Sequence, residues 1–240
     1  MSKKKKKLGI CVYCGESKEV TREHVIPRCM FPGPLPNDVV VVPACEPCNK
    51  EKGKHDDYLR DMLTVDAQTS ASDSAQTVLT GKVFRAAEKN HSQLIRAAKA
   101  KGKFEPVHSS GGIYLGHGYA VPLEEDRVNH IFSLIVRGLY FKTTGLLLPQ
   151  DAVFEVKRLE AADFDKTWKH LQKIGYNGPY HLDDVLTCIF VYASEEPAVS
   201  HWWLWFYGSI CVYVSTQPPG FDINSLTPNR GVGEPKLRVK

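Results

Sequence analysis

The sequence lacks the long apolar runs of membrane proteins and the cysteine density of small secreted scaffolds. No apolar stretch approaches the ~20 residues that a membrane-spanning helix needs, and none follows the basic start as it would in a secretory signal. Seven cysteines among 240 residues are too few for a scaffold held mainly by disulfides. Hydrophobic residues make up 42% and charged residues 24%, which is ordinary for a globular protein. We therefore expect a folded cytoplasmic protein with no membrane partner.

Net positive charge is also scarce once the first residues are set aside. The formal net charge is +4, and the run at 3–7 contributes five lysines, so that the remainder carries −1. A block of like charge of this size is usually disordered. We therefore expect a basic tail at 1–8, which is either a solvated extension or an arm that contacts phosphates.

Aromatic residues are few in the first hundred positions. Only four occur there, whereas twenty occur in 101–240. A small region with so little apolar mass usually needs a staple such as a metal ion, whereas the remainder can build a conventional core. The sequence therefore predicts an α+β protein with a small stapled domain at 9–64, a polar linker at 65–82, a larger α+β domain at 83–216 and a loose tail at 217–240.

Hydrophobic periodicity and turn residues predict the individual elements. Strands are expected at 39–42, 146–148, 153–159, 185–192, 202–207 and 210–215. Helices are expected at 47–52, where Gly53 would end the first, and then at 56–63, 83–101, 124–142 and 163–174. The tryptophan-rich run at 202–207 is typical of a buried strand, which we favour over a platform for stacking bases. Cys188 and Cys211 lie in apolar runs and are expected to be buried.

Four of the seven cysteines form two Cys-x-x-Cys pairs, namely Cys11 with Cys14 and Cys45 with Cys48. In a chain without a secretory signal, such pairs indicate metal binding rather than disulfides. Four thiolates around zinc form a closed, structural site. Thirty residues separate Cys14 from Cys45, so a segment is inserted between the two halves of this expected zinc site.

Residues in and just after the insert can support hydrolysis. Glu23 and His24 lie within it, and Asn49 follows the last paired cysteine directly. A carboxylate and an amide oxygen are hard ligands suited to Mg²⁺ or Mn²⁺, and a neutral imidazole beside such an ion can deprotonate water. The cation can then neutralise charge on a phosphodiester and its leaving oxygen. Three neighbouring lysines are candidates for contacting a nucleic-acid backbone: Lys50, Lys52 and Lys54.

The full spaced pattern resembles the HNH endonucleases of the ββα-metal superfamily. It runs Cys11-x-x-Cys14…Glu23-His24-Val25-Ile26-Pro27…Pro43-Ala44-Cys45-x-x-Cys48-Asn49-x-x-Lys52-Gly53. It is similar to the four-cysteine zinc-knuckle type, which includes phage recombination endonucleases and many restriction and defence nucleases. The resemblance covers about a quarter of the chain, at 9–64. It implies a ββα-metal domain that hydrolyses phosphodiester bonds in DNA, with His24 as general base, Glu23 and Asn49 as ligands of a catalytic Mg²⁺ or Mn²⁺, and a structural zinc.

Two positions depart from the family pattern. The family usually has Asp at the place of Glu23, and the extra methylene shifts the carboxylate. The middle Asn of the family orients the catalytic His and usually lies a few residues before the third cysteine. Asn37 is the candidate for that position, and Asp38 lies in the adjacent register.

Other interpretations of these residues stay open. His24 could be an ordinary packing histidine, Asn49 could cap a helix, and the three lysines could form a solvated face. The segment could then be a zinc-dependent module that binds nucleic acid without cutting it. Alternatively, a nuclease could be the effector of a sensing domain at 83–216. RNA is the alternative to DNA as the partner, and cutting both strands with one site per chain would favour a homodimer.

Overall fold

The computed structural model describes residues 7–108 and 112–221. The lysines at 3–6 and most of the predicted tail at 217–240 lie outside the described residues. Within the described part the protein has an α+β fold with three antiparallel sheets, which confirms the predicted fold class. None of the helices described is both long and apolar enough to span a membrane.

The N-terminal part is a three-stranded antiparallel sheet followed by a long helix. The strands, in spatial order, are β1 (Lys7–Ile10), β2 (Ser17–His24) and β3 (Val41–Cys45). Strand β3 runs directly into α1 (Glu46–Thr64), which has a proline in its first turn, where the missing N–H costs nothing. The prediction that Gly53 ends a helix is wrong. A mid-helix glycine costs about 1 kcal/mol relative to alanine, and burial of Tyr58, Leu59 and Leu63 offsets that cost.

The segment predicted as a linker, 65–82, is helical and packed. It contains a 3₁₀ turn (Ala67–Ala71), α2 (Asp73–Val78) and the start of a π-helical turn (Leu79–Val83). Asp66 and Ser72 cap these turns by accepting backbone N–H groups, and Ala75 and Val78 are fully buried. The Lys82 Nζ donates to the carbonyls of Cys29 at 3.2 Å and Phe31 at 2.6 Å. The polar residues of this segment therefore include helix caps, and the segment is not a free linker.

The helix predicted at 83–101 is divided into α3 (Phe84–Glu88) and α4 (Gln93–Lys101). Asn90 adopts a left-handed conformation with φ of 57° between them, a geometry that asparagine tolerates better than most residues. Ser92 then caps α4 by accepting the Ile95 N–H. A two-stranded sheet follows, formed by β4 (Lys103–His108) and β5 (Tyr114–Ala120).

The C-terminal part packs α5 (Glu125–Thr144) against a five-stranded antiparallel sheet. Its spatial order is β6 (Val153–Leu159), β10 (Ile210–Gln217), β9 (Ser200–Phe206), β8 (Leu186–Tyr192) and β7 (Asn177–Leu182). Helix α6 (Ala161–Ile174) connects β6 to β7. The predicted helix at 124–142 is confirmed, and so is burial of Trp202, Cys188 and Cys211. The residues at 146–148 do not form the predicted strand; Arg137 binds the Leu148 carbonyl instead.

One hydrophobic core joins the N-terminal part to α5 and the five-stranded sheet. Val25, Ile26 and Met30 belong to the same cluster of buried residues as Ile135 of α5 and the sheet interior. The buried Tyr207 hydroxyl donates to the Met30 carbonyl at 2.8 Å across this core. The predicted domain boundary at 65–82 therefore does not coincide with a break in the core.

Two glycine substitutions test how closely α5 packs on the segment that follows β2. A Cβ added at Gly138 would lie 2.5 Å from Val25 Cγ2, whereas one added at Gly53 meets nothing within 4 Å. We expect Gly138→Ala to lower the free energy of unfolding by about 1–3 kcal/mol, because the core must shift to accept the methyl group. Gly53→Ala is the matched control and should raise it by up to about 1 kcal/mol. Urea unfolding of both variants measures the difference, and equal effects would contradict the packing described.

Candidate metal centre

The four paired cysteines meet at one end of the three-stranded sheet. Their sulfur atoms all lie within 4.8 Å of one another, and Cys14 Sγ is 3.9 Å from Cys45 Sγ. Cys11 and Cys14 lie in the turn after β1, which the Gly15 N–H closes on the Cys11 carbonyl at 2.8 Å. Cys45 ends β3 and Cys48 lies in the first turn of α1. The cluster therefore fastens the β1–β2 turn to the junction between β3 and α1.

The donor set and its surroundings fit a metal such as zinc. Tetrahedral zinc with sulfur ligands at ~2.3 Å has sulfur–sulfur edges of about 3.8 Å, so the sulfurs need only small shifts to bind it. All four cysteines are free thiols. The Cys45 N–H points at Cys11 Sγ from 3.3 Å. Burial raises the pKa of Cys11, but N–H groups from Cys45, Cys14 and Tyr13 outweigh it and lower the pKa to about 7. Burial raises the pKa of Cys14 and Cys48, so the fit to a metal rests on the geometry of the four sulfurs.

A buried ion pair lies beside this centre, between β2 and α1. Lys52 Nζ is 3.1 Å from Glu23 Oε1 and 3.1 Å from Asp56 Oδ1. Glu23 and Lys52 are both buried, with 8% and 4% of their surfaces exposed. The predicted cation ligand Glu23 therefore already has a positively charged partner. Lys52 does not have the exposed position that contact with a nucleic-acid backbone requires, so that prediction does not fit the structure.

Asn49 faces the same side of β2 as this ion pair. Its Nδ2 is 3.4 Å from Thr21 Oγ1, and Thr21 and Glu23 lie on one face of β2 because strand residues alternate in direction. The first turns of α1 thus bring Asn49 and Lys52 against that face. His24 is the last residue of β2, is partly buried and pairs with Val41 of β3. Two of the predicted site residues, Glu23 and Asn49, therefore lie on elements that pack directly together.

The remaining predicted site residues lie on the surface. Lys50 pairs with Glu46 at 2.8 Å and Lys54 pairs with Glu51 at 2.5 Å, and both lysines are exposed. Asn37 and the neighbouring Asp38 are exposed in a turn before β3. Both surface lysines remain accessible to a large partner, because exposed ion pairs of this kind contribute little stability.

Two residues that the sequence interpretation passed over also belong to this neighbourhood. Tyr13 is buried in the cysteine turn, and its hydroxyl has no hydrogen-bond partner among the described residues. Burial, and then the negative charges of Glu23 and Asp56, raise the pKa of Tyr13. Arg127 of α5 donates to His55 Nδ1 at 3.0 Å and lies 4.1 Å from the centre of the Tyr58 ring. Neither has a motif or a periodicity that points to the site; only the fold places them there.

Removing the lysine tests the buried ion pair. We expect Lys52→Met to lower the free energy of unfolding by about 3 kcal/mol, because it leaves Glu23 buried without its cation. Lys50→Met is the matched control, since its pair with Glu46 is exposed, and it should change stability by less than about 0.5 kcal/mol. Urea unfolding near neutral pH measures both. Equal changes in the two variants would show that Lys52 is not held as described.

Comparisons of the chain with family models, with curated proteins and with solved structures found no match. Any assignment of function therefore rests on the site itself.

Proposed function

We propose that the protein is a metal-dependent endonuclease of the HNH type that hydrolyses phosphodiester bonds in DNA. The observation that carries this proposal is the placement of Glu23 of β2 against the first turns of α1, with His24 as the next and last residue of that strand, near a cluster of four cysteines. Two antiparallel strands followed by a helix, stapled at their junction, are the arrangement that the spaced sequence pattern implies. The cysteine cluster would hold a structural zinc, since four thiolates leave no open coordination position.

The residues around β2 have distinct roles in this proposal. His24 takes a proton from the attacking water as general base. Asn49 donates through Nδ2 to Thr21, which leaves its amide oxygen as the atom for a cation. Glu23 supplies a carboxylate oxygen. A Mg²⁺ or Mn²⁺ bound there would neutralise charge on the phosphate and on the leaving oxygen.

Lys52 sets the charge of this site. With Glu23 and Asp56 it forms a group of two carboxylates and one ammonium, with a net charge of −1. The ammonium holds Glu23 in place without an ion, and it also competes with a divalent cation for the same carboxylate. We therefore expect the cation to bind weakly until a nucleic acid supplies phosphate oxygens as further ligands.

A zinc-dependent module that binds nucleic acid without cutting it is the second candidate. The ion pair between Lys52 and Glu23 favours it, because the carboxylate is already satisfied by a positive charge. The two candidates are distinguished by DNA cleavage, because only the endonuclease produces new strand ends.

Incubation of the full-length, zinc-loaded protein with supercoiled plasmid tests the proposal. We expect nicked and linear DNA to accumulate when Mg²⁺ or Mn²⁺ is added and not when it is omitted. Parallel incubations with single-stranded DNA and RNA define the substrate form. Binding without cleavage of any of these nucleic acids would favour the non-catalytic module.

A further inference from the structure

The hairpin formed by β4 and β5 has an exposed surface that the proposed catalytic residues do not explain. The two strands form a sheet of their own, and every residue of β4 is exposed. Isolated two-stranded hairpins are at best marginally stable in water. This hairpin is exposed and carries large aromatic side chains. Its surface is therefore a candidate for contact with a partner.

Five rings lie together on one face of this hairpin. The register pairs Phe104 with Tyr119, Pro106 with His117 and His108 with Tyr114. Strand alternation places the first two pairs on the same side, and the ring contacts of Tyr114 with His108 and His117 place it there as well, beyond the bulge at Val107 and His108. Ring centroids are 5.8 Å apart for Phe104 and Tyr119, 6.0 Å for Phe104 and His117, and 5.6 Å for Tyr114 and His117. We call this surface, which consists of Phe104, His108, Tyr114, His117 and Tyr119, the ring face.

The ring face is open to solvent. Phe104 is 69% exposed, Tyr114 52% and Tyr119 50%. Cross-strand ring pairs stabilise a hairpin by at most about 1 kcal/mol each. This stabilisation does not explain why the rings are exposed to solvent. A contiguous exposed apolar patch on a protein usually marks an interaction site.

A group of exposed cations precedes the ring face in the chain. Between positions 84 and 103 there are six lysines and arginines and a single carboxylate, Glu88. All six cations are exposed, and in the described part of the structure none of them forms an ion pair with a carboxylate. We call this set the cation segment; it consists of Arg85, Lys89, Arg96, Lys99, Lys101 and Lys103.

Charge balance favours the cation segment over the stretch at 8–65 as the part of the chain that contacts phosphates. Positions 8–65, which contain the proposed catalytic residues, have 7 lysines and arginines against 9 aspartates and glutamates. Neutralisation of phosphates supplies most non-specific affinity for nucleic acids. The stretch at 8–65 therefore needs a basic surface elsewhere, and the cation segment provides one.

Gly102 joins the two surfaces. A Cβ at this position would lie 2.3 Å from Tyr119 Cε1, so the Tyr119 ring lies directly against the backbone at the end of α4. Lys101 and Lys103 flank this glycine. Tyr119 of the ring face thus lies next to the end of α4, where Lys101 is located. Proteins that bind single strands combine cations for the nucleic-acid backbone with aromatic rings for the bases in this way.

We propose that the ring face and the cation segment together bind unpaired nucleotides. Bases in a duplex are stacked on one another, so only single-stranded, bulged or frayed nucleotides can stack on protein rings. The inference rests on the proposed function for the class of partner, and it adds that the substrate contains unpaired bases next to the cleavage site. DNA and RNA share this chemistry, and the experiment separates them.

Binding of labelled oligonucleotides to the full chain tests this inference. The protein has His24→Ala to prevent cleavage, and no divalent ion is added beyond the loaded zinc. Fluorescence anisotropy compares a single-stranded DNA, a single-stranded RNA and a duplex of the same sequence, and 2-aminopurine in the single strand reports stacking through its quenching. We expect one of the single strands to bind more tightly than the duplex and to show quenched 2-aminopurine.

Three variants, made in the same background, assign the contacts. Phe104→Ala with Tyr119→Ala should weaken single-strand binding at least about tenfold and abolish the quenching, because each base stacked on a ring contributes about 1–3 kcal/mol. Lys99→Gln with Lys101→Gln should weaken binding to single strands and duplex alike and flatten its salt dependence. Lys169→Gln with Lys173→Gln removes the same charge from α6 and should change neither the affinity nor its salt dependence.

The outcomes separate this inference from the proposed nuclease activity. Unchanged single-strand affinity and quenching in Phe104→Ala/Tyr119→Ala, or tighter binding of duplex by the parent protein, would overturn it and leave the rings to stabilise the hairpin or to contact a protein. Phe104→Tyr keeps an aromatic ring at this position and should retain both binding and quenching. If the protein cuts DNA but binds it independently of the rings, the nuclease proposal stands and this inference fails. If it stacks bases on the rings but never cuts, this inference stands and the nuclease proposal fails.

Discussion

Replacing Cys45 with serine is expected to abolish metal binding and to unfold the N-terminal part of the protein. Cys45 lies where β3 becomes α1 and contacts both cysteines of the other pair, Cys11 and Cys14. Structural zinc contributes on the order of 10 kcal/mol to the folding of small zinc domains. Because the hydrophobic core continues from this part into α5 and the five-stranded sheet, we expect the loss to lower the stability of the whole chain. Metal analysis and thermal unfolding of both proteins measure the effect, with about one zinc per chain expected in the wild type.

Cys29→Ser is the matched control for this experiment. Cys29 is a free thiol outside the cluster, and its Sγ lies 3.5 Å from the Asp56 carbonyl. The variant should retain the metal, and its unfolding temperature should change far less than that of Cys45→Ser. A wild-type protein that is folded and holds no metal would refute the structural role of the cluster.

The second large effect is expected from His24→Ala, which should reduce the rate of DNA cleavage about 10²–10⁴-fold. Loss of a general base typically has an effect of this size. His24 ends β2 and is only partly buried, so the variant should stay folded, retain its metal and bind DNA as the wild type does. Single-turnover cleavage with protein in excess measures the chemical step without a contribution from product release.

His181→Ala controls for the loss of an imidazole. His181 is exposed on β7, an edge strand of the five-stranded sheet, and contacts Thr187 through Nδ1. Its substitution should leave the cleavage rate unchanged. If His24→Ala cuts as fast as the wild type, the base is another residue or the reaction proceeds without one.

Local patterns predicted those elements whose own residues show a clear spacing or periodicity. The two Cys-x-x-Cys pairs each form a short chelating turn, so their spacing alone indicates a metal cluster. Helix α5 was predicted because apolar residues recur at helical spacing, and those from Ile131 to Tyr140 face the core. The strands β8, β9 and β10 were predicted because their β-branched and aromatic residues fill a buried sheet.

Features that depend on distant contacts were missed or assigned wrongly. The stretch at 65–82 is polar, but Thr69 and Ala75 are buried and Lys82 binds carbonyls more than fifty residues away. In sequence, Lys52 lies among other charged residues of α1 and resembles a surface lysine. In the fold it is buried, because Glu23 of β2 packs against it and pairs with its ammonium group. The ring face was missed because a bulge interrupts the alternation along the hairpin, and the stacking residues are shared between two strands.

The most direct measurement is the dependence of plasmid cleavage on Mn²⁺ concentration for the wild type and for Glu23→Gln, with the zinc content determined in the same samples. We expect the cleavage rate of the wild type to rise with Mn²⁺ concentration and to saturate. Glu23→Gln should need a higher concentration of Mn²⁺ to reach the same rate while it retains about one zinc per chain. Cleavage that does not respond to added Mn²⁺ or Mg²⁺, or an identical concentration dependence in the two proteins, would contradict a catalytic cation held by Glu23.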